Sequence, residues 1–522
     1  MQISALDNRL VLALMNSALS VPPPQTTQLL ETHISWVILA GEYAYKIKKP
    51  VNLGFVNFTD LNKRAYFCQE ELRLNRRLAP QLYLDLLSIG GSIDQPRLGS
   101  TPVIEYAVKM RRFNPDQQLD KLLASNRLPT SAIDQIATTI GQFHLNQPAC
   151  LPTEQYGTLP EVILPVLQNF HSLHQLVDSS LSGLVSDLQN ACEFQISSCA
   201  QQLHQRQQQG YIREAHGDLH LANLVMWQNQ VLAFDCLEFN PHLRWIDVIN
   251  DIAFLLMDLQ CHQRNDLAYR FLNRYLQLTG DYQGLAVLNY YLVYRALVRA
   301  KICLLSPKQT HSLSQNRHCY DYLSLAESYL DKPQAFLILT HGLPGTGKST
   351  LSQWLAEQLA CIQLRSDIER KRLLKLAVFS EETLYTTDAT AHLYQHLYQL
   401  SRQLLSWGYP VIVDATFLKQ SQRQLFRQLA KELQLGLVIV SLSTQADLIR
   451  QRIHSRSIAG NDASDADLAV VEKMQADQQD LSAEEFSEVI EWDNNQDFKQ
   501  LEPAKNQLLA AIRQRLLQAR WG

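Results

Sequence analysis

The stretch GLPGTGKST occupies residues 342–350 and directly follows an apolar run at residues 336–340. Glycines at these spacings let backbone N–H groups converge on phosphate oxygens, and the start of a helix adds partial positive charge. A helical pattern follows the glycines, so the stretch lies in the strand-to-helix context that this motif needs. The predicted phosphate-binding residues are Gly342, Gly345, Thr346, Gly347, Lys348, Ser349 and Thr350.

Within this stretch, Lys348 is expected to reach the β- and γ-phosphates and Ser349 to hold Mg²⁺. Asp414 ends the apolar run at residues 411–413, where an acid can complete the Mg²⁺ site or simply cap the next turn. Ala415 follows at the position where motor ATPases carry a glutamate that polarises water. An alanine at this position favours phosphoryl transfer over hydrolysis. The alternative for residues 342–350 is a glycine-rich turn that binds no ligand.

Three further charged residues are candidates in the same part of the chain. Asp367 follows a predicted strand at residues 361–364, and its carboxylate can accept the proton of an attacking hydroxyl or cap the next helix. Arg452 and Arg456 are four residues apart and therefore share one helix face. They suit a closing lid that neutralises γ-phosphate charge, or an ordinary solvated face, and a polar loop follows at residues 460–464.

Apolar runs at residues 336–340, 411–413 and 437–442 alternate with helical stretches. This alternation predicts a parallel sheet covered by helices on both faces. The polar stretch at residues 331–334 precedes the first run, and we predict a domain boundary at Pro333.

Residues 336–481 resemble the small P-loop kinases, a group that includes zeta toxin, polynucleotide kinase, gluconate kinase and chloramphenicol phosphotransferase. The residues that carry this resemblance are Gly342–Thr350, Ser366 and Asp367 with Arg370, Asp414 to Thr416, and Arg452 with Arg456. The resemblance implies ATP-dependent phosphorylation of a hydroxyl, with Asp367 as the base or as a substrate anchor. The acceptor differs between members of the group and does not transfer.

A second stretch, HGDLHLAN, occupies residues 216–223 and places Asn223 five residues after Asp218. Protein kinases use the same interval, with the Asp accepting the substrate hydroxyl proton and the Asn coordinating Mg²⁺. Asp235 lies twelve residues further on, after the apolar run at residues 231–234, where a metal-holding carboxylate is expected.

Two other interpretations of this stretch stay open from the sequence. His216 and His220 have the i, i+4 spacing of a zinc pair, although Gly217 disfavours the helix that such a pair requires. A polar turn within a hairpin is the other possibility.

The pattern at residues 216–223 resembles the aminoglycoside-phosphotransferase and fructosamine-kinase branch of the kinase superfamily. This resemblance implies that the strand at residues 43–48 carries the lysine that binds the α- and β-phosphates. Lys46 and Lys48 lie on one strand face, so parity does not choose between them, and we favour Lys46. Glu71 is the favoured ion-pair partner, and a solvated strand edge is the alternative for both lysines.

Other positions bear on this second resemblance. Asp247 and Asp251 match the acidic segment that braces the catalytic loop in that branch, or else they cap helices. No GxGxxG stretch is present, and residues 32–35 stand in its place. Cys-Leu-Glu follows Asp235 where protein kinases carry Phe-Gly. These departures make N-terminal activity a weaker expectation than nucleotide binding at residues 342–350.

The expected fold class is therefore α/β and α+β. A bilobal kinase-like domain is predicted at residues 1–332, with lobes at about 1–113 and 114–330, followed by a P-loop domain at residues 334–522 with a parallel sheet between helices. The arrangement resembles a bacterial family of bifunctional phosphotransferase/ATP-binding proteins.

Composition limits the partners. The 522 residues include 47 Lys and Arg against 51 Asp and Glu, a net charge of −4, so a generally basic surface that coats nucleic acid is excluded and stable nucleic-acid binding is not expected. The nine cysteines form no CxxC pair, which favours a reducing cytoplasm. The sequence shows no basic leader of a signal peptide and no apolar run of about 18 residues, so it predicts neither a signal peptide nor a membrane-spanning helix.

The leading hypothesis is a phosphotransferase with two sites that use ATP and Mg²⁺ and act on hydroxyl groups of small-molecule or nucleotide acceptors. One alternative is a P-loop kinase or ATPase regulated by a nucleotide-sensing, catalytically weak N-terminal domain. Another is a toxin-like kinase that acts on a sugar nucleotide.

Overall fold

A computed structural model describes the chain except residues 1–4, 18, 20–26, 55, 152, 306–312, 332–333, 377, 379–385, 460–467 and 519–522. Its described residues form two compact units. Unit 1 contains residues 1–258 and 290–323, and unit 2 contains residues 259–289 and 324–522. Pro333, where the sequence predicts a boundary, lies outside the described residues.

The elements are numbered in chain order. The helices are α1 Ala5–Asn16, α2 Leu61–Asn75, α3 Leu119–Ala124, α4 Thr130–Asn146, α5 Leu159–Leu176, α6 Ser179–Gln208, α7 Val248–Cys261, α8 Asn265–Thr279, α9 Leu285–Leu305, α10 Leu313–Ser328, α11 Lys348–Leu359, α12 Ser366–Lys375, α13 Thr387–Ser406, α14 Gln420–Glu432, α15 Ala446–Ala459, α16 Leu468–Ala476 and α17 Glu502–Gln518. The strands are β1 Gln28–Glu31, β2 Ser35–Ala40, β3 Tyr43–Lys48, β4 Tyr83–Gly91, β5 Pro96–Leu98, β6 Val103–Arg111, β7 Ile212–Glu214, β8 Leu224–Trp227, β9 Gln230–Ala233, β10 Trp245–Asp247, β11 Leu337–His341, β12 Ile362–Arg365, β13 Val411–Asp414, β14 Leu437–Ser443 and β15 Val489–Asp493.

Unit 1 begins with an antiparallel sheet in the order β1-β2-β3-β6-β4-β5. Gly41 takes a positive φ of 59° in the tight turn between β2 and β3, a conformation that glycine adopts without strain. Helix α2 begins at the cap residue Asp60, whose side chain accepts hydrogen bonds from the amides of Asn62 and Lys63. Its buried Cys68 and Leu72 pack with the sheet in one core cluster, and α2 lies against β4 and β6.

The rest of unit 1 is largely helical, but two short antiparallel strand pairs flank its polar stretch. Strand β7 pairs with β10, and β8 pairs with β9. Residues 216–223 connect the two pairs, and Phe234 after β9 donates its amide hydrogen to the carbonyl of Asn223. Residues 216–223 and Asp235 are therefore held against each other by backbone pairing.

Unit 2 contains a parallel sheet in the order β12-β13-β11-β14-β15. Helices α11 and α17 cover one face through an apolar cluster that includes Ile338, Leu351, Val438, Trp492 and Leu508. Helix α13 packs against β13. The fold class predicted from the sequence, a mixed structure with a parallel sheet among helices in the C-terminal part, is confirmed.

Helix α8, although it precedes β11 by many residues, is part of unit 2 and covers the outer edge of β12. The side chain of Asn273 donates to the carbonyl of Cys361 at 2.9 Å and accepts from the amide of Gln363 at 2.8 Å. These bonds satisfy backbone groups that an edge strand otherwise leaves unpaired. Among the described helices, none has both the length and the apolar character needed to cross a membrane.

Candidate active sites

The first candidate site is in unit 1 and is organised around two lysines of β3. The Nζ atom of Lys46 lies 2.7 Å from Oε1 of Glu71 and 2.6 Å from Oδ1 of Asp235. Burial lowers the pKa of Lys46, but Asp235 and Glu71 outweigh it and hold that pKa well above its ordinary value. Lys48 is fully buried and pairs with Glu71 Oε2 at 2.7 Å and with Glu238. Both lysines therefore share Glu71, and only Lys46 also contacts Asp235.

Asp218 and Asn223, the predicted base and metal ligand, are in direct contact. The Nδ2 group of Asn223 donates to the backbone carbonyl and to Oδ2 of Asp218, both at 3.0 Å. His220 Nε2 lies 3.5 Å from the same Oδ2. Burial raises the pKa of Asp218, but His220, His216 and Arg295 outweigh it and lower that pKa, so the carboxylate is ionised and can accept a proton.

The ring of His216 forms hydrogen bonds to backbone groups on both sides. Its Nε2 group donates to the carbonyl of Phe234 at 2.9 Å, and its Nδ1 atom accepts from the amide of Asp218 at 3.3 Å. Burial lowers the pKa of His216, which keeps the ring neutral. Because both ring nitrogens are engaged, His216 does not offer the zinc ligand that the sequence left open.

The two buried acids singled out from the sequence, Asp247 and Asp251, have different partners. Asp251 accepts the amide hydrogens of His216 and Gly217 at 3.1 and 2.8 Å, and it lies 3.1 Å from His144 Nε2. Asp247 instead pairs with Arg206 at 2.7 Å. Of the two acids singled out from the sequence, Asp251 is thus the one that contacts the stretch directly.

Asp235 has the left-handed φ of 61°, and its amide donates to the hydroxyl of Tyr83 at 3.2 Å. Its side chain is 45 % exposed, so its carboxylate is open to solvent as well as to Lys46. Asn223 uses its Nδ2 group on Asp218, which leaves its amide oxygen as the group that could bind a cation. Carboxylate and amide oxygens suit Mg²⁺, and these two residues fit the ion that the sequence predicts.

The second candidate site is in unit 2, where residues 342–347 connect β11 to α11. Gly342 has a φ of 139°, and a Cβ atom there would lie 2.7 Å from the carbonyl oxygen of Leu442. Gly347 has a φ of 93° and directly precedes the first turn of α11. Side chains at these positions would strain or block the loop, so the glycines permit the close approach that phosphate oxygens need.

The polar side chains of this loop are held by its own backbone. Lys348 is largely buried, and its Nζ group donates to the carbonyl of Leu343 at 2.8 Å, so it lies across the loop. Thr346 is buried, with its hydroxyl donating to the same carbonyl at 2.8 Å. Ser349 and Thr350 lie in the first turn of α11, with Thr350 exposed.

Asp414, at the carboxyl end of β13, is buried beside Ser349 and Lys348. The Ser349 side chain lies next to its carboxylate, whose Oδ2 atom makes no hydrogen bond and lies 3.5 Å from Nε of Arg365. Burial raises the pKa of Asp414 despite the opposing effects of Arg365 and Lys348. A buried carboxylate oxygen without a hydrogen bond, next to a serine hydroxyl, fits a Mg²⁺ ion.

Asp367 lies in the first turn of α12, directly after β12, and is half-buried. Because β12 and β13 are parallel neighbours with Arg365 opposite Asp414, Asp367 and Asp414 lie at the same edge of the sheet. Arg452 on α15 donates to the carbonyl of Asn494 at 2.9 Å. Arg456 also lies on α15, but its side chain is outside the described part of the chain, as is the polar loop at residues 460–464.

Some residues at these sites were not singled out from the sequence. Asn494 follows β15, and its Nδ2 group donates to the carbonyl of Thr346 at 2.7 Å. This bond helps to hold the loop at residues 342–347 in place. A polar residue at the carboxyl end of a parallel strand was the available signal. Tyr83 gave no comparable signal, because an aromatic residue that begins a strand is usually a core residue.

Comparison with known proteins identifies a domain and relatives of this chain. Residues 337–481 match the family model described as AAA domain. The uncharacterized protein Rv2004c of Mycobacterium tuberculosis is 31 % identical over 459 residues, which cover 86 % of this chain and 90 % of that protein. The chain belongs to the same family as this mycobacterial protein. The sequence-based identification of a C-terminal P-loop domain is confirmed.

Two solved structures each resemble a part of the present chain. An aminoglycoside 2′-phosphotransferase-IIIa, solved as its GDP complex, is 14 % identical and covers 61 % of this chain and 97 % of its own, with a TM-score of 0.39. A gluconokinase from Sinorhizobium meliloti is 18 % identical and covers 36 % of this chain and 97 % of its own, with a TM-score of 0.27.

Proposed function

We propose that the chain transfers the γ-phosphoryl group of ATP to hydroxyl groups of small-molecule or nucleotide acceptors, with one Mg²⁺-dependent site in each unit. The observation that carries this proposal is the buried Asp414 carboxylate, which lies beside Ser349 and Lys348 with one oxygen that makes no hydrogen bond. Such an arrangement suits a cation next to a phosphate-binding loop, and Nε of Arg365 lies 3.5 Å from the same oxygen.

In unit 1, the ionised Asp218 accepts the proton of the acceptor hydroxyl as its oxygen attacks the γ-phosphorus. The bond between the γ-phosphorus and the bridging oxygen breaks, and ADP leaves. Lys46 neutralises phosphate charge, with Glu71 fixing its direction. Asn223 and Asp235 are the residues that would hold Mg²⁺, which supplies charge neutralisation at the phosphates when bound.

In unit 2, the amides of residues 342–348 and the Lys348 ammonium bind the phosphates, while Ser349 and Asp414 would hold Mg²⁺. Asp367 lies at the same sheet edge, and we assign it the role of accepting the acceptor proton or anchoring the acceptor. Arg452 supplies positive charge beside the loop that Asn494 supports.

The test is nucleotide stoichiometry combined with turnover on the full chain. Titration with a non-hydrolysable ATP analogue and Mg²⁺ is expected to give two sites per chain in the wild type and one in Lys348→Met. Incubation with ATP and a pooled metabolite extract, followed by mass spectrometry, is expected to reveal products heavier by one phosphoryl group.

Two matched controls accompany this experiment. Lys473→Met changes an exposed lysine of unit 2, and Lys121→Met changes an exposed lysine of unit 1. Both are expected to retain two nucleotide sites. Wild-type protein that binds ATP but phosphorylates no component of the extract would count against the transferase proposal, and an unchanged stoichiometry in Lys348→Met would exclude the P-loop as a nucleotide site.

A further inference from the structure

Next to the Lys46 pair lies a second ion-pair cluster, in which Lys48 contacts Glu71 and also Glu238, a partner that no motif predicts. Lys48 Nζ lies 2.7 Å from Oε2 of Glu71 and contacts Oε1 of Glu238, and all three side chains are at least 95 % buried. The Lys48 ammonium also lies 5.0 Å from the ring centre of Phe58. Lys48 could therefore contact a phosphate group only by breaking its ion pairs with two buried carboxylates.

Such a buried cluster is costly in a stability sense. Removing charged groups from water carries a large penalty, and well-packed apolar side chains of similar volume are often at least as stabilising. Buried ionic groups of this kind are better explained when they fix a geometry that apolar packing would leave free.

The geometry in question is the direction of Glu71. Its two carboxylate oxygens are divided between the two lysines, with Oε1 facing Lys46 and Oε2 facing Lys48. A carboxylate held at one oxygen presents the other in a fixed direction. Lys48 thus sets the orientation in which Glu71 meets Lys46.

Glu238 extends this constraint to the metal-binding segment. The amide of Cys236, next to Asp235, donates to Oδ1 of Asn75 on α2 at 2.9 Å. The carbonyl of Glu238 accepts from Arg244 at 3.0 Å, while its side chain meets Lys48. Residues 235–238 are therefore tied to α2 at one end and to β3 at the other.

We propose that Lys48 and Glu238 are positioning residues of the unit 1 site, which orient Glu71 toward Lys46 and hold Asp235 in register with it, while Lys46 alone contacts phosphate. This inference rests on the proposed function of unit 1. It assigns a role to the Cys-Leu-Glu sequence that stands where protein kinases carry Phe-Gly.

The consequence of removing Lys48 can be worked out from charge. Glu71 and Glu238 would then be two buried carboxylates beside the single ammonium of Lys46, so that one of them gains a proton at moderately acid pH. The other titratable groups that face the cluster are Cys68 of α2, Tyr83 of β4 and Asp235. Burial raises the pKa of Cys68 to about 12 and that of Tyr83 well above its ordinary value, so neither changes charge between pH 6 and 9.

The experiment measures the affinity of a fluorescent ATP analogue with Mg²⁺ as a function of pH, in full-length chains that carry Lys348→Met. Lys48→Met is expected to weaken binding about tenfold or more at pH 6 and to recover part of that loss toward pH 9. The double variant Lys48→Met with Glu238→Gln removes the competing carboxylate, and we expect it to restore a flat pH profile.

The outcomes separate the inference from the proposed function. A lack of analogue binding by the Lys348→Met parent overturns both. If Lys48→Met leaves the affinity for the analogue unchanged, or weakens it equally at every pH, the positioning role alone is overturned. The same conclusion follows if the double variant binds the analogue no more tightly than Lys48→Met. Thermal unfolding of each variant identifies any loss of folded protein, and Lys121→Met serves as the charge-matched control.

Discussion

Lys46 and Asp235 lie 189 positions apart in the sequence, yet their side chains form an ion pair of 2.6 Å. The pair joins β3 to the segment after β9, and thus joins the predicted phosphate-binding lysine to the predicted metal-binding carboxylate. Mg²⁺ and ATP phosphates would each compete for one partner of this pair, so nucleotide and metal binding in unit 1 are expected to depend on each other.

Replacing Asp235 with Asn tests this dependence. Asparagine has nearly the same shape as aspartate and tolerates the left-handed φ of 61°, but it lacks the negative charge of the carboxylate. We expect ATP affinity in Lys348→Met chains to lose most of its dependence on Mg²⁺, while metal-free affinity stays equal or rises. Titrations with and without Mg²⁺ measure this, with Asp85→Asn on the exposed face of β4 as control. A normal Mg²⁺ response in Asp235→Asn would contradict the assigned role.

Asp218→Asn distinguishes a catalytic unit 1 from a nucleotide sensor. The asparagine keeps a partner for Asn223 at hydrogen-bond distance but cannot accept a proton. Once a unit 1 product has been identified, its rate of formation is expected to fall about 10²–10⁴-fold, with ATP affinity nearly unchanged. Unaltered product formation would leave the sensor hypothesis as the better account of unit 1.

Glu214 gives a prediction for acid stability. It lies 2.8 Å from Arg73, 3.1 Å from Arg77 and 3.1 Å from Arg244. Burial raises the pKa of Glu214, but these arginines outweigh it and lower the pKa to about 2. A lowered folded-state pKa means that the stabilisation is complete above the unfolded-state value near 4.5 and is lost as the pH falls toward 2.

Glu214→Gln is therefore expected to reduce the free energy of unfolding by about 1–2 kcal/mol at pH 7 and to flatten its decline between pH 5 and 2. Denaturant unfolding at a series of pH values measures both effects. Glu42→Gln, at an exposed side chain, is the control and should behave as the wild type. A parallel decline in Glu214→Gln and wild type would show that the ionised carboxylate contributes no such stability.

Asn273→Leu tests whether α8 is an integral part of unit 2. The substitution leaves the carbonyl of Cys361 and the amide of Gln363 without their side-chain partner at the edge of β12. We expect a loss of about 2–4 kcal/mol in the unfolding of unit 2, because two buried backbone groups lose their bonds. Differential scanning calorimetry with saturating ATP analogue should locate the effect, and Gln283→Leu at an exposed amide should be neutral.

Short motifs with a fixed backbone geometry could be read from the sequence, because glycines at residues 342–347 and the Asp-to-Asn interval at residues 218–223 each require one local arrangement. The apolar strands were also found, to within a few residues, from their composition. Parity could not separate Lys46 from Lys48, since both lie on one strand face, and the structure brings both to Glu71.

What the sequence could not show is long-range pairing. Asn273 has no local feature that marks it as the partner of β12, and Asn494 supports a loop almost 150 residues away. The second unit's use of residues 259–289 is equally invisible, because a helix from a remote part of the chain carries the same periodicity wherever it packs.

That use of residues 259–289 has a consequence for how this polypeptide can be divided. The chain passes from one unit to the other after Asp258, after Asn289 and after Leu323, and each passage lies within a helix, α7, α9 or α10. No single cut yields two whole units, and a gene split near Pro333 would strip α8 from the edge of β12. A fragment that begins after Pro333 would lack α8, and the two units are therefore expected to fold as parts of one polypeptide.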